Sequence, residues 1–252
     1  MTSRPWDGGA YDRVGLPQAE WGRVVLERLP LRGDETVVDA GCGSGRVTEM
    51  LLERLPEGRV IAVDGSASML DAARERLARF DRVEFVESDL LALDLSGRTV
   101  DAVLSTATFH WIRDHGSLFR RLRAVLRPGG RLVAQCGGVG NIARVLARGE
   151  EVARSERWAA LLPGYGDMHY FAAPAETEER LRAAGFAEAR AWLHDEPTRP
   201  PEPVVFLSAV IFGAVVQGLP DDLRSAFAEE VLAGLPEPFE ADYVRLNIDA
   251  TA

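Results

Sequence analysis

The sequence predicts an α/β fold: a largely parallel sheet with helices on both faces. Three observations carry this. Between Glu35 and Val133, short β-branched runs alternate with segments whose apolar residues have helical spacing, and strand–helix alternation builds parallel sheets because each crossover needs a helix to return the chain. The first β-branched run ends in a glycine-rich turn. The chain has 252 residues, 46% of them hydrophobic and 27% charged, which suits one α/β domain with insertions or two small domains.

The elements follow in order. Thr36-Val37-Val38 is the first strand, and after its glycine turn Arg46 to Leu55 is helical. Arg59 to Val63 is the second strand, followed by a helical pattern from Met69 to Phe80. Val83 to Val86 and Asp101 to Leu104 form the third and fourth strands, with Leu118 to Leu126 helical after them. Pro128-Gly129-Gly130 marks a sharp turn into the fifth strand, Arg131 to Ala134. Segments 5–30, 138–183 and 203–236 are richer in aromatics, proline and helical patterning, as expected of a lid over the strands' C-terminal edge. The expected organisation is therefore an N-terminal helical lid segment over 1–32, a binding core over 33–137, a lid insertion over 138–183, and C-terminal strands over 184–252 interrupted by a helical insertion at about 203–236.

Charge narrows the chemistry. Lys and Arg total 29, all of them arginine, against 39 Asp and Glu, for a net charge of −10. Without lysine there is no Schiff base, no usual pyridoxal phosphate attachment and no P-loop lysine. The acidic balance argues against nucleic acid as a partner, because such binding depends on basic side chains releasing counterions. The longest apolar run, Val204 to Val216, is shorter than the roughly 18 residues that span a bilayer, so no membrane partner is expected. Residues 1–13 carry no apolar run of the signal-peptide kind, and Cys42 and Cys136 lack metal-ligand or redox spacing. The reading is a cytoplasmic protein, monomer or homodimer.

The functional signal begins in Asp39-Ala40-Gly41-Cys42-Gly43-Ser44-Gly45. Glycines here let backbone approach a ligand and feed a helix N-terminus. The spacing is GxGxG rather than the GxGxxG of dinucleotide binding, and Asp39 favours a cation over a pyrophosphate. The second strand ends in Asp64-Gly65-Ser66, about 20 residues past Gly45, where a carboxylate can accept both hydroxyls of a ribose. The third ends in Glu87-Ser88-Asp89-Leu90; Asp89 can accept from an adenine amino group while Leu90 and Met69 press on the ring. Three acids at three successive strand ends, on the ligand edge of a doubly wound sheet, form a specific constellation.

The runs VVDAGCGSG, VIAVDGS, VESDLL, DAVLSTATFHW and LRPGGRLV, in this order across about residues 33–135, resemble the class I S-adenosylmethionine-dependent methyltransferases. The resemblance implies a Rossmann-like doubly wound seven-stranded sheet, parallel with one antiparallel strand, whose sixth and last strands fall at about Ala187–Leu193 and Tyr243–Ile248. It implies S-adenosylmethionine as cofactor and S-adenosylhomocysteine as product. Gly41 and Gly43 then line the methionine and ribose part of the cofactor; Asp64 holds the ribose, Asp89 and Leu90 the adenine, and Ser105 and Thr106 face the methionine amino group and sulfonium. Asp39, Cys42, Gly45, Gly65, Met69 and Ser88 complete the expected cofactor set. Thr108 to His115, with Trp6, Tyr11, Ala134-Gln135 and Tyr243 to Asn247, resembles the trans-aconitate methyltransferase branch, and juvenile-hormone acid methyltransferases share a similar His-Trp segment. The loop Cys136 to Asn141 departs from the proline-containing loop of the bacterial trans-aconitate enzyme.

The favoured activity is methyl transfer to a carboxylate oxygen of a small molecule. Methylation of a carbon, amine or phenol is the alternative, and a non-catalytic binding module a second one. A carboxylate is ionised at neutral pH and needs no base, whereas the other acceptors generally do. His110, just past the fourth strand, is the catalytic candidate, either as a base or as an orienting wall residue. Trp6, Tyr11, Gln18, Thr108, Trp111, Tyr165, His169 and Tyr170 are expected in the substrate pocket, although the aromatic crowd between 158 and 171 also fits a satellite core. Arg144, Arg148, Arg154 and Arg157 are either a clamp for a second carboxylate or a solvated helical face. Phe206, Val210, Ile211 and Val215 have the spacing of a pocket wall or a dimer surface. No metal is expected, since the histidines are unclustered. Cys42 and Cys136, two strand spacings apart at about 9 to 10 Å, exceed the roughly 7 Å limit for a disulfide and should be free thiols.

Overall fold

The computed structural model describes residues 16–252 except 164, 167 and 168, with side chains described from residue 20 onward. Seven strands, β1 (Thr36–Ala40), β2 (Arg59–Asp64), β3 (Val83–Glu87), β4 (Val100–Thr106), β5 (Leu126–Gly137), β6 (Glu188–Asp195) and β7 (Val244–Thr251), lie in the order β3-β2-β1-β4-β5-β7-β6. Neighbours from β3 to β5 pair in parallel, and β7 is antiparallel to both β5 and β6. The strand order reverses direction between β1 and β4, which opens a crevice at their C-terminal ends.

Alternation along the strands assigns the two faces. Val37, Val60, Leu104 and Val133 pack with Val25 and Leu26 of α1 (Leu16–Glu27) and with Leu51 and Leu52 of α2 (Arg46–Glu53). Their neighbours Val38, Ile61, Val103 and Leu132 point the other way, onto Leu118, Phe119 and Leu122 of α4 (His115–Val125). This period of two, with both sides apolar, is what a sheet covered on both faces requires. Between β2 and β3 lies α3 (Ala67–Arg76), whose first turn is capped by Ser66 Oγ accepting from Met69 N. The Pro128-Gly129-Gly130 turn does not precede the fifth strand. It lies inside β5, whose pairing with β4 already begins at Leu126 and shifts register between Val100 and Ala102.

The segment 138–183 divides. Its first part, with α5 (Ala143–Ala153), joins a third cluster over the crevice; its last part, α6 (Pro174–Ala183), packs through Leu181 into the sheet layer beside α4 and β6. The segment 203–236 completes the third cluster. It runs as a short turn (Pro203–Phe206), a π-helical stretch (Leu207–Ile211), a second turn (Gly213–Val216) and α7 (Asp221–Leu232). Trp158, Phe206, Phe212 and Phe227 are its fully buried centre. Cys42 and Cys136 are free and buried, with β4 between their strands. Among the described residues no helix is long and apolar enough to cross a membrane.

Candidate active site

At the strands' C-terminal edge, under the third cluster, lies a cavity of about 630 Å3. Its floor is the β1–α2 turn. Gly41 N and Cys42 N both donate to Val63 O (2.8 and 3.0 Å), which fastens the turn to β2. Gly41 (φ +82°) admits no side chain, because a Cβ would stand 2.2 Å from Thr108 Oγ1. Gly43 (φ +53°) has nothing within 4 Å of its Cβ position, so any side chain there would enter the cavity. These glycines serve different ends: one holds the turn against β4's exit, the other keeps the floor low.

From β2, Asp64 Oδ2 accepts Gly43 N and Oδ1 accepts Ser66 N, each at 2.9 Å. Each oxygen retains a lone pair for a ligand hydroxyl. Burial pushes the Asp64 carboxyl up, and the backbone N–H groups of Ser66, Gly43 and Gly65 oppose that. From β3, Asp89 Oδ1 accepts Leu91 N (2.9 Å), which fixes its carboxylate at the rim. Gly65, Met69, Ser88 and Leu90 join Asp64, Asp89 and Cys42 in the wall.

Three expected cofactor contacts lie behind this wall. Asp39 is buried beneath the turn, where Oδ2 accepts from Thr48 Oγ1 at 2.7 Å and Oδ1 has no partner among the described residues. Burial, reinforced by the Asp64 charge, pushes its carboxyl up to about 6. Ser105 donates to Ala40 O at 2.6 Å, tying β4 to β1 and turning its hydroxyl away from the cavity. Gly45 packs against Ala73 and Leu77 of the α3 region. Side chains alternate along a strand, so Thr106 lines the cavity and Ser105 does not.

The other half of the cavity is built past β4, β5 and β7. Thr108 Oγ1 donates to Thr106 O at 3.0 Å. His110 Nδ1 accepts Gly137 N at 3.3 Å. Burial, with neighbouring His169 and Arg245, holds its imidazole well below the usual histidine range, so the ring is neutral and its hydrogen sits on Nε2. Trp111, His169 and Phe171 surround it, with ring centroids 5.2, 5.6 and 6.0 Å away. His169 and Phe171 stack on each other, and burial lowers His169 to about 4.

Tyr170 and Tyr165 are not in the wall. Tyr170 N donates to His110 O, and in this extended chain His169 and Phe171 turn inward while Tyr170 turns out, its hydroxyl donating to Glu176 and accepting from Arg180. Tyr165 packs against Phe212 and Phe227 in the third cluster. Trp6 and Tyr11 lie outside the described residues, as does the Gln18 side chain. The arginines of 138–183 are paired on the surface: Arg144 with Asp242, Arg148 with Glu151, Arg154 with Glu150 and Arg157 with Glu230. Val210 and Ile211 line the cavity, which makes the π-helical stretch a pocket wall.

The residue most informative about the acceptor had been assigned no role from sequence. Arg245, on β7, is only 3% exposed and forms part of the wall. Its guanidinium lies 4.5 Å from the Trp21 ring centroid and 5.8 Å from that of Tyr243, and Nε donates to Gln135 Oε1 at 3.3 Å. Gln135 Nε2 in turn donates to Asn247 Oδ1 (3.0 Å), which also accepts from Arg28. The period of two along Tyr243, Arg245 and Asn247 was the available signal. Among the described residues no group of histidine, cysteine and acidic side chains is placed to hold a metal.

Comparison with known proteins agrees with this geometry. A methyltransferase-domain family profile matches residues 37–130. A trans-aconitate 2-methyltransferase of Azoarcus sp. is 40% identical over 52% of this chain and 50% of its own, so the chain spans about half the length of such curated relatives. One from Methylobacterium nodulans is 33% identical over 75% of this chain and 67% of its own. Among solved structures, a Haemonchus contortus phosphoethanolamine N-methyltransferase with bound S-adenosylhomocysteine superposes at TM-score 0.65, with 19% identity over 97% of this chain and 56% of that one. YcgJ of Bacillus subtilis superposes at 0.66, with 15% identity over 92% and 97%. The glycine turn, the strand-end acids and these likenesses place the chain in the class I S-adenosylmethionine-dependent methyltransferase family, in the branch that includes the trans-aconitate 2-methyltransferases.

Proposed function

We propose that this protein methylates a carboxylate oxygen of a small acid, using S-adenosylmethionine and leaving S-adenosylhomocysteine. The cofactor half fits that molecule by its donor set. Asp64 offers acceptors for ribose hydroxyls, Asp89 an acceptor for the adenine amino group, Met69 and Leu90 apolar surface for the ring, and Gly43 an open floor. When bound, the cofactor supplies an electrophilic methyl group on a sulfonium.

The observation that carries the carboxylate reading is Arg245. A guanidinium buried in the wall beyond β5, held by aromatic faces and Gln135, is suited to an anionic acceptor. His110 supports the same reading. With Nδ1 accepting Gly137 N, its Nε2–H is a donor, which suits orienting a carboxylate and not removing a proton. Two buried free thiols support a reducing, cytoplasmic setting. The test is to incubate the protein with methyl-labelled S-adenosylmethionine and a panel of carboxylic acids, phenols and amines. Label recovered in an alkali-labile product supports methyl ester formation; label confined to alkali-stable products overturns it.

A further inference from the structure

We propose that the acceptor is a monocarboxylic acid with an extended apolar body, its carboxylate at Arg245 and its body along Ile142, Phe171, Val210 and Ile211. This rests on the carboxyl reading above and goes beyond it, because the relatives are named for a tricarboxylate.

Three observations support it. The first is charge. Among the described residues the cavity wall carries three carboxylates, Asp64, Glu87 and Asp89, and two guanidiniums, Arg46 and Arg245. Arg46 opens α2 directly after the glycine turn, on the β1–β3 side. Arg245 is therefore the one described cation on the β5–β7 side of the wall. His110 and His169 are held neutral by burial and add no charge for a second or third carboxylate. A polyanion would face one guanidinium with three like charges across the same cavity.

The second is the surface around Arg245. The wall beyond β5 includes the apolar Ile142, Phe171, Val210 and Ile211, with Trp21 and Tyr243 beside the guanidinium and Asn141 and His169 as its remaining polar members. Gln135 spends its amide on Arg245 and Asn247, and Asn141 Oδ1 accepts Val244 N. The third is backbone strain. Ile142 holds φ +47° and ψ +32°, a left-handed conformation that a β-branched residue adopts only at a cost, and its side chain is buried in the wall. Glycine would relieve the strain at that position and leave a gap in the apolar wall.

The experiment measures kcat/KM for straight-chain acids from butanoate to decanoate and for trans-aconitate, with every product tested for alkali lability. The expected result is a KM falling about fourfold per added methylene until the pocket is full, with the longer acids preferred over trans-aconitate. In Ile142→Gly, the KM of the longest accepted acid should rise about tenfold more than that of butanoate. Trans-aconitate preferred, with a KM flat along the series and alkali-labile products, overturns the apolar-body inference and leaves the carboxyl reading standing. Alkali-stable products overturn both.

Discussion

The two halves of the cavity are built by different means. On the β1–β3 side the acids at the strand ends are fixed by nearby backbone: Asp64 takes two amide N–H groups, Asp89 takes one, and the glycine turn is pinned to Val63 O. On the β5–β7 side the groups come from 135, 142, 169, 171, 210, 211, 243 and 245, and they are held by ring stacking and a side-chain network. Local backbone geometry recurs wherever the fold does; on the other side Gln135 and Arg245 stand on β5 and β7, and 142, 169, 171, 210 and 211 come from insertions that are free to vary. Under the proposed function the first half would hold the cofactor and the second would choose the acceptor.

Substitutions on the two sides should separate accordingly. Asp64→Ala should have the largest effect, weakening S-adenosylmethionine binding about 100-fold or more, since charge-assisted hydrogen bonds contribute about 1.5–3 kcal/mol each; isothermal titration reads it. Arg245→Leu should leave cofactor affinity within about threefold and raise the KM for a carboxylic acid roughly 30-fold, a split visible in steady-state kinetics. The two turn glycines should differ in kind. Gly41→Ala, with its Cβ 2.2 Å from Thr108 Oγ1, should cost about 3 kcal/mol of stability, whereas Gly43→Ala, facing open space, should cost about 1 kcal/mol and chiefly weaken ligand binding. Denaturant unfolding and titration of the same variants would show it.

Asp39 gives a pH-dependent prediction. Its folded carboxyl, raised to about 6, lies above the unfolded value, so its contribution is fully present below about pH 4 and is lost as pH rises through about 6. Asp39→Asn should therefore stabilise the ligand-free protein by on the order of 2 kcal/mol at pH 8 and leave it nearly unchanged at pH 4. His169, lowered to about 4, acts in the opposite sense: stability present above about pH 6.5 is lost as pH falls toward 4. His110→Ala should lower kcat only about 10-fold by misplacing the acceptor.

On the β1–β3 side the structure brings Gly41, Gly43, Asp64, Met69, Asp89 and Leu90 together along the cavity as the sequence leads one to expect, because glycines and acids at strand ends act locally. Asp39, Ser105 and Gly45 were the exceptions. They stand in the right motif, but the turn of the chain and the pleat put Asp39 under Thr48, Ser105 on Ala40 O and Gly45 against α3. On the other side the pattern was weaker. The aromatic crowd at 158–171 makes two contributions: His169 and Phe171 line the wall, Phe171 also packing on the third cluster, and Trp158 and Tyr165 belong to that cluster away from the cavity. Arg245 carries only the weak signal of a period of two, and it joins the site because β7 pairs with β5, which brings it beside Gln135 and Trp21. Arg144, Arg148, Arg154 and Arg157, for which the sequence leaves a clamp or a solvated helical face open, pair with acids from neighbouring turns and from α7 and with Asp242.

In the proposed reaction the acceptor arrives ionised and His110 donates to it without taking a proton. The dependence of kcat on pH tests this most directly. Between pH 6 and 9 the account predicts a rate constant that stays level within about twofold, because a carboxylate with a reference pKa near 4 is already ionised and His110 stays neutral throughout. A kcat that climbs about tenfold per pH unit toward a plateau near pH 7, and loses that climb in His110→Ala, would contradict it.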